Sequence, residues 1–222
     1  MNKTNVLSKV DHTILSPTAT REDVERICQE SITYQTASAC IPPCYVMDMK
    51  TKFGEKLTIT TVIGFPLGYM TTAAKVAEAK QAVADGADEI DMVINVSAVK
   101  SGEFDRVQSE IERVKAAVGS HILKVIIETS YLTEDEKIEM CKIVSHAGAD
   151  FIKTSTGFSD AGASLADIAL FKQHLSDGVL IKASGGIRSK ADFEAFVEAG
   201  VARIGASSAI SAFNGKEGHA GY

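Results

Sequence analysis

Eight short apolar runs, each parted from the next by a longer stretch of helical period, constrain this chain more than any other feature. The runs fall at 11–15, 36–41, 58–63, 89–94, 122–127, 150–154, 179–183 and 203–205. Strands spaced this widely pair in parallel through crossover helices. The clearest intervening stretch keeps Phe104, Val107, Ile111, Val114 and Val118 on one face over four turns. Helix starts are signalled where a hydroxyl residue precedes an acid by three, at Thr20/Asp23, Thr133/Glu136, Ser164/Asp167 and Ser189/Asp192.

An internal echo points the same way. Asp85-Gly86-Ala87-Asp88, Ala147-Gly148-Ala149-Asp150 and Ala199-Gly200-Val201-Ala202 each close a helix with glycine and lead into a strand. Five residues beyond those glycines stand Asp91, Lys153 and Gly205, so three units deliver an acid, an amine and a bare backbone to equivalent places. The pattern predicts an α/β fold, a single-domain TIM (β/α)8 barrel over residues 1–222, with a flexible tail from about 214. Its chemistry would sit at the C-terminal strand ends. An open doubly wound sheet would carry a glycine-rich phosphate loop after its first strand; Asp11-His12-Thr13-Ile14-Leu15-Ser16-Pro17 stands there instead.

The charge balance, 23 Lys and Arg against 29 Asp and Glu for a net −6, argues against nucleic acid as a partner. No secretory leader pattern opens the chain and no apolar run approaches a membrane span, so a cytoplasmic protein with no membrane partner is expected. Cys28, Cys40, Cys44 and Cys141 then read as reduced thiols. The histidines, His12, His121, His146, His174 and His219, show no ligand spacing, and no metal site is expected.

Lysine within an apolar strand needs explaining, because lysine is seldom buried without a partner. Lys124, Lys153 and Lys182 all sit between aliphatic residues in predicted strands. Such a side chain can snorkel to solvent or pair with a carboxylate, but Lys153 and Lys182 lie on successive strands whose ends a barrel brings together. Two ammonium groups ~5 Å apart repel by roughly 3 kcal/mol at an effective dielectric of about 20. That raises the neutral fraction at pH 7 on the order of 200-fold, and burial pushes the same way. A neutral amine adds to a carbonyl, so the pair suits imine chemistry; the residues alone leave open which lysine is the nucleophile. Asp91 serves either as a proton carrier or as a counter-ion to a barrel lysine. Asp11 and Thr13 on the first strand are auxiliary candidates for the same network, with Lys124, while His12 reads as structural.

Phosphate binding has a separate signal in the late loops: Gly157; Gly185, Gly186 and Arg188; and Gly205, Ser207 and Ser208. Glycines there admit backbone N–H groups to an anion, and barrels often hold phosphate after their last two strands. Gly64-Phe65-Pro66-Leu67-Gly68 reads as a rigid turn.

These segments, together with Asp88-Glu89-Ile90-Asp91-Met92-Val93-Ile94-Asn95, Leu123-Lys124-Val125-Ile126-Ile127-Glu128-Thr129, Lys153-Thr154-Ser155-Thr156-Gly157-Phe158 and Lys182-Ala183-Ser184-Gly185-Gly186-Ile187-Arg188, resemble the deoxyribose-phosphate aldolase family over nearly the whole chain. The resemblance implies reversible cleavage of 2-deoxy-D-ribose 5-phosphate to D-glyceraldehyde 3-phosphate and acetaldehyde. It implies Lys153 as the Schiff-base lysine, Lys182 as the residue that lowers its pKa, and Asp91 as the acid of a proton relay. The imine is the electron sink, so no metal and no cofactor are implied. The partners are a phosphorylated sugar and an aldehyde, and a homo-oligomer, dimer or tetramer, is common among such barrels. Pro42 departs from the family's usual asparagine, removing an amide side chain and a backbone donor. Tyr222 ends the chain where some members carry a mobile active-site tyrosine. Another Schiff-base aldolase and a non-catalytic sugar-phosphate binder are the alternatives; the latter would be expected to lack Lys153, Lys182 or Asp91.

Overall fold

The computed structural model describes residues 1–215. Eight strands form one closed parallel barrel in chain order: β1 (Val10–Thr13), β2 (Ser38–Ile41), β3 (Ile59–Ile63), β4 (Glu89–Val93), β5 (Ile122–Ile126), β6 (Phe151–Lys153), β7 (Leu180–Ser184) and β8 (Arg203–Ala206). β8 pairs with β1, leaving no edge. Outside lie α1 (Lys3–Leu7), α2 (Arg21–Tyr34), α3 (Val46–Phe53), α4 (Thr72–Ala84), α5 (Val96–Lys100), α6 (Phe104–Val118), α7 (Glu134–His146), α8 (Leu165–His174), α9 (Lys190–Glu198) and α10 (Ala209–Phe213). Each predicted run coincides with a strand, and no bound moves by more than two residues.

Period-two alternation sorts the strands between two interiors. Ala39, Ile59, Ile90, Leu123, Val125, Ile152, Ile181 and Ile204 join the apolar layer shared with the helices, where the α6 stripe Val107, Ile111, Val114 and Val118 is also buried. The alternate set, Asp11, Ser38, Thr60, Glu89, Asp91, Lys124, Lys153 and Lys182, is equally buried but belongs to the barrel interior. The hydrophobic layer that stabilises this fold therefore lies between sheet and helices, and the barrel interior is free to hold charge.

The helix starts follow their local chemistry. Thr20, Thr133 and Ser189 each form a reciprocal capping box with the acid three residues on. Ser164 caps α8, but Asp167 does not return the bond: its carboxylate accepts from Lys137 Nζ at 2.7 Å, a charged donor on the neighbouring helix.

The 64–68 turn is rigid for visible reasons. Gly64 and Gly68 hold φ of +59° and +72°, and the Gly68 amide donates to the Gly64 carbonyl at 2.8 Å. A Cβ on Gly68 would lie 1.9 Å from the Ile94 carbonyl oxygen, so no side chain fits.

Candidate active site

The predicted lysines meet at one carboxylate. Register places Lys153 directly beside Lys182 and Asp91 directly beside Lys124. Lys153 Nζ donates to Asp91 Oδ2 at 2.7 Å, and Lys182 Nζ donates to the same oxygen at 2.6 Å. Lys124 Nζ donates to the other oxygen, Oδ1, at 3.0 Å. Lys182 also reaches Asp11 Oδ2 at 2.5 Å. All five residues are buried.

Beneath them lies a second tier that the sequence reading did not identify. Glu89 takes two bonds from the Arg203 guanidinium, at 2.9 and 3.0 Å, and pairs with Lys124 at 2.5 Å. Arg203 also donates to Asp11 Oδ1 at 2.5 Å. The hydroxyls of Ser38 and Thr60 donate to Asp11 and Glu89, and the Phe151 ring lies 5.9 Å from Lys124 Nζ and 5.6 Å from the Arg203 guanidinium carbon. Four cations thus face three carboxylates. The whole cluster becomes neutral when one amine gives up its proton.

The amine that gives it up is set by the partners. Burial pushes Lys153 down; Asp91 opposes by holding the proton, Lys182 pushes down again, and the result lies below the ordinary lysine value. Burial pushes Lys182 down as well, but Asp11 and Asp91 together outweigh it and hold it well above the ordinary value. The opposite directions follow from geometry: Lys182 bridges two carboxylates, whereas Lys153 touches one and shares it. Burial is thus the leading cause for Lys153 and repulsion from Lys182 a supporting one, the reverse of their weight in the sequence argument. Asp91 is held far below the usual carboxylate range: burial raises it, but the charges of Lys124, Lys153 and Lys182 prevail.

Beside the amines the barrel mouth turns apolar. Leu15, Cys40 and Val62 form a small buried cluster separate from the main hydrophobic layer, and Phe65 packs on it. Burial pushes the Cys40 thiol up to about 11, so it stays protonated. Phe65 meets Phe158 edge to face with ring centroids 5.3 Å apart. Pro42 follows β2 directly at φ −61°, its carbonyl accepting from the Tyr45 amide.

The late loops converge only in part. Gly157 and Gly185 hold φ of +86° and +81°, and a Cβ on Gly185 would sit 3.5 Å from Gly157 Cα and 3.0 Å from Gly162 Cα. Gly186, at φ +77°, and Arg188 are exposed in the next turn. Gly205 is buried, and a Cβ there would meet Lys182 Cε at 3.2 Å; its bareness makes room for the lysine. Ser207 is exposed, whereas Ser208 donates its hydroxyl to the Ile187 carbonyl at 3.1 Å and ties the last two loops together. Thr13 turns its hydroxyl to the Asp11 carbonyl at 2.7 Å. With His12, Ser207 and Ser208 it lines a cleft of about 530 Å³ bordered by α2 and α10. His12 Nε2 donates to the Glu30 carboxylate at 2.8 Å. Tyr222 lies outside the described residues.

Three further buried charges escaped sequence reading. Lys75 on α4 pairs with Glu110 on α6 at 2.7 Å. Glu128, just after β5, holds the loop that follows Lys153. Only an apolar flank within a strand marks a charge as buried, and none of the three lies in a strand.

A closed parallel barrel with paired lysines and a shared carboxylate at its mouth defines an aldolase-type α/β barrel. The family model described as DeoC/LacD family aldolase matches residues 5–218. Curated relatives named deoxyribose-phosphate aldolase include one from Clostridium botulinum (strain Eklund 17B / Type B), 55% identical over 98% of both chains. Another, from Clostridioides difficile (strain 630), is 53% identical over 92% of this chain and 93% of its own. Among solved structures, the aldolase QR15 superposes with a TM-score of 0.90 at 40% identity over 93% of both chains. The deoxyribose phosphate aldolase of Aeropyrum pernix, described as having a unique tetrameric structure, gives 0.88 at 30% over 96% of this chain and 91% of its own. The chain belongs to the DeoC/LacD family of aldolases, and it is an enzyme of the aldehyde-lyase type.

Proposed function

We propose that this protein is a deoxyribose-phosphate aldolase that cleaves 2-deoxy-D-ribose 5-phosphate reversibly to D-glyceraldehyde 3-phosphate and acetaldehyde. The observation that carries the mechanism is the shared oxygen: Lys153 and Lys182 both donate to Asp91 Oδ2, yet their pKa values move in opposite directions. Lys153 is the amine, Lys182 the fixed cation and Asp91 the proton carrier.

In cleavage, neutral Lys153 adds to the C1 aldehyde of the open-chain sugar. Loss of water gives an iminium on Nζ. The C3 hydroxyl then gives up its proton as the C2–C3 bond breaks, and the bond's electrons move into the iminium to leave an enamine. D-glyceraldehyde 3-phosphate departs, C2 is protonated, and water releases acetaldehyde. The contact of Asp91 with both amines supports a role in moving protons to and from the substrate oxygens. Lys182 and Lys124 keep it ionised between transfers. The Leu15, Cys40, Val62 and Phe65 wall suits the two-carbon donor fragment.

The phosphate is assigned to the Gly157, Gly185, Gly186 and Gly205 loops, with Arg188 and Ser207 at the rim and Ser208 tying the loops. Two bare backbones meeting at Gly157 and Gly185 support this assignment. Among the described residues no helix is long and apolar enough to cross a membrane; a cytoplasmic homo-oligomer acting on small phosphorylated sugars, without cofactor, is the setting proposed.

Borohydride reduction in the presence of acetaldehyde, followed by peptide mass spectrometry, tests the reading. A reduced two-carbon adduct is expected on Lys153; an adduct on Lys182, or none, overturns it.

A further inference from the structure

The loop that follows Lys153 hangs on a single carboxylate. Glu128 holds φ +52°, a left-handed conformation that a side chain adopts only where its surroundings enforce it. The enforcement is visible on both flanks: the Ile127 amide donates to the Lys153 carbonyl at 3.1 Å, and the Thr129 amide to the Thr154 carbonyl at 2.9 Å. The side chain is turned into the next loop. Its carboxylate accepts from the Thr156 amide at 3.2 Å, the Thr156 hydroxyl at 2.5 Å and the Ser159 hydroxyl at 3.0 Å. Thr156 Oγ1 in turn accepts from the Phe158 amide at 3.0 Å.

Glu128 is only 3% exposed, and among the described residues no cation lies within ion-pair distance of it. A buried carboxylate held by neutral donors alone is costly to keep, so the loop it organises must repay it. That loop runs straight onto the next one. A Cβ on Gly162 would lie 2.2 Å from the Gly185 carbonyl oxygen, and the Ala163 amide donates to the carbonyls of Ser184 and Gly185, each at 3.1 Å. The chain of contacts therefore begins at Glu128, passes through 156–159 and 162–163, and ends at Gly185. Lys153 stands at its near end.

We propose that Glu128 is a positioning residue that fixes the distance between the Lys153 amine and the Gly185 loop, matching the site to an aldehyde carrying a phosphate at its far end. The proposal rests on the assignment of phosphate to the Gly185 loop.

The test compares cleavage of 2-deoxyribose 5-phosphate and of unphosphorylated 2-deoxyribose by wild type, Glu128→Ala and Glu128→Gln. Glu128→Ala is expected to lower kcat/KM for the phosphorylated sugar roughly 100-fold, mostly through KM, with only a small change for the unphosphorylated one. Glu128→Gln, which keeps one acceptor oxygen, recovers part of the loss. Borohydride trapping of acetaldehyde on Lys153 and the acid limb of the pH profile stay as in wild type. Equal losses on both sugars, a displaced acid limb or full activity in Glu128→Ala each overturn the proposal. If Glu128→Ala does not fold, Thr156→Val and Ser159→Ala, which each remove one donor, decide by the same ratio. A wild type that treats both sugars alike overturns the phosphate assignment itself, and that failure appears before any substitution is made.

Discussion

Lys153 and Lys182 stand side by side on β6 and β7 and donate hydrogen bonds to one oxygen of Asp91, at 2.7 and 2.6 Å. Their nitrogens are thus close neighbours, and the two differ in what else they touch. Asp11 holds Lys182 from the other side, leaving Lys153 as the cation with one shared partner.

Lys182→Leu removes the cation that competes for Asp91. Asp91 Oδ2 is then left to Lys153, with Lys124 still on Oδ1, and the protonated amine is favoured. The acid limb of the pH–rate profile is expected to move to higher pH, with kcat/KM at pH 7 falling roughly 100-fold. An acid limb unmoved from wild type would show that Lys182 does not tune the nucleophile.

Glu89→Gln acts from the opposite direction. It leaves four cations facing two carboxylates, so Lys153 loses its proton more readily and the acid limb moves to lower pH. Arg203 and Lys124 also lose a buried partner, which costs about 3–5 kcal/mol of stability. Denaturant unfolding measures the second effect and the pH profile the first.

Gly205→Ala should reduce activity while leaving the barrel folded. The new Cβ would stand 3.2 Å from Lys182 Cε and 3.1 Å from Ser184 Cβ, so the lysine must give by a few tenths of an ångström. Loss of its dual contact with Asp11 and Asp91 is expected to lower kcat roughly tenfold, about 1.4 kcal/mol. Circular dichroism and thermal unfolding check that the fold survives.

Acid should unfold this protein through the barrel centre. Burial raises Asp11, but Lys182, Lys124 and Arg203 outweigh it, so Asp11 joins Asp91 below the usual carboxylate range. Carboxylates depressed in the fold contribute stability that is present above their unfolded pKa near ~3.9 and lost as pH falls toward the folded one. Unfolding free energy is expected to be flat from neutrality to about pH 5 and to fall steeply below about pH 4. Asp91→Asn should flatten that fall while lowering stability at neutral pH. Lys182, raised by the same partners, carries the opposite sign: its contribution holds below the unfolded lysine value and is lost as pH rises through the elevated folded one.

The barrel was legible because its signals are local. Strand runs, the glycine after each of three helices and the Ser/Thr starts all follow from backbone chemistry within a few residues, and even at Ser164 only the return bond from Asp167 is missing, because Lys137 takes that carboxylate from another helix. Lys153, Lys182, Lys124 and Asp91 were legible because charge between aliphatic strand residues is costly without a partner. Glu89 and Arg203 open their strands, so neither is flanked by aliphatic strand residues on both sides and neither carries that signal; only closure of β8 on β1 brings Arg203 to Asp11. Glu128 was unreadable for a similar reason, since its role depends on a positive φ and a loop 28 positions on. Lys75 and Glu110 are 35 apart and meet only when α4 packs on α6.

The small apolar group of Leu15, Cys40, Val62 and Phe65 has a consequence for how this enzyme can change. It is detached from the layer that binds sheet to helices, so reshaping it disturbs few of the contacts that keep the barrel closed. The charged tiers below have no such latitude, since every member but Lys153 is bonded to two or more others and a lone replacement strands its neighbours. New aldehyde donors are thus to be sought by recutting the wall at Leu15, Val62 and Phe65, where diversity is cheap, while the ionic interior is inherited as one unit.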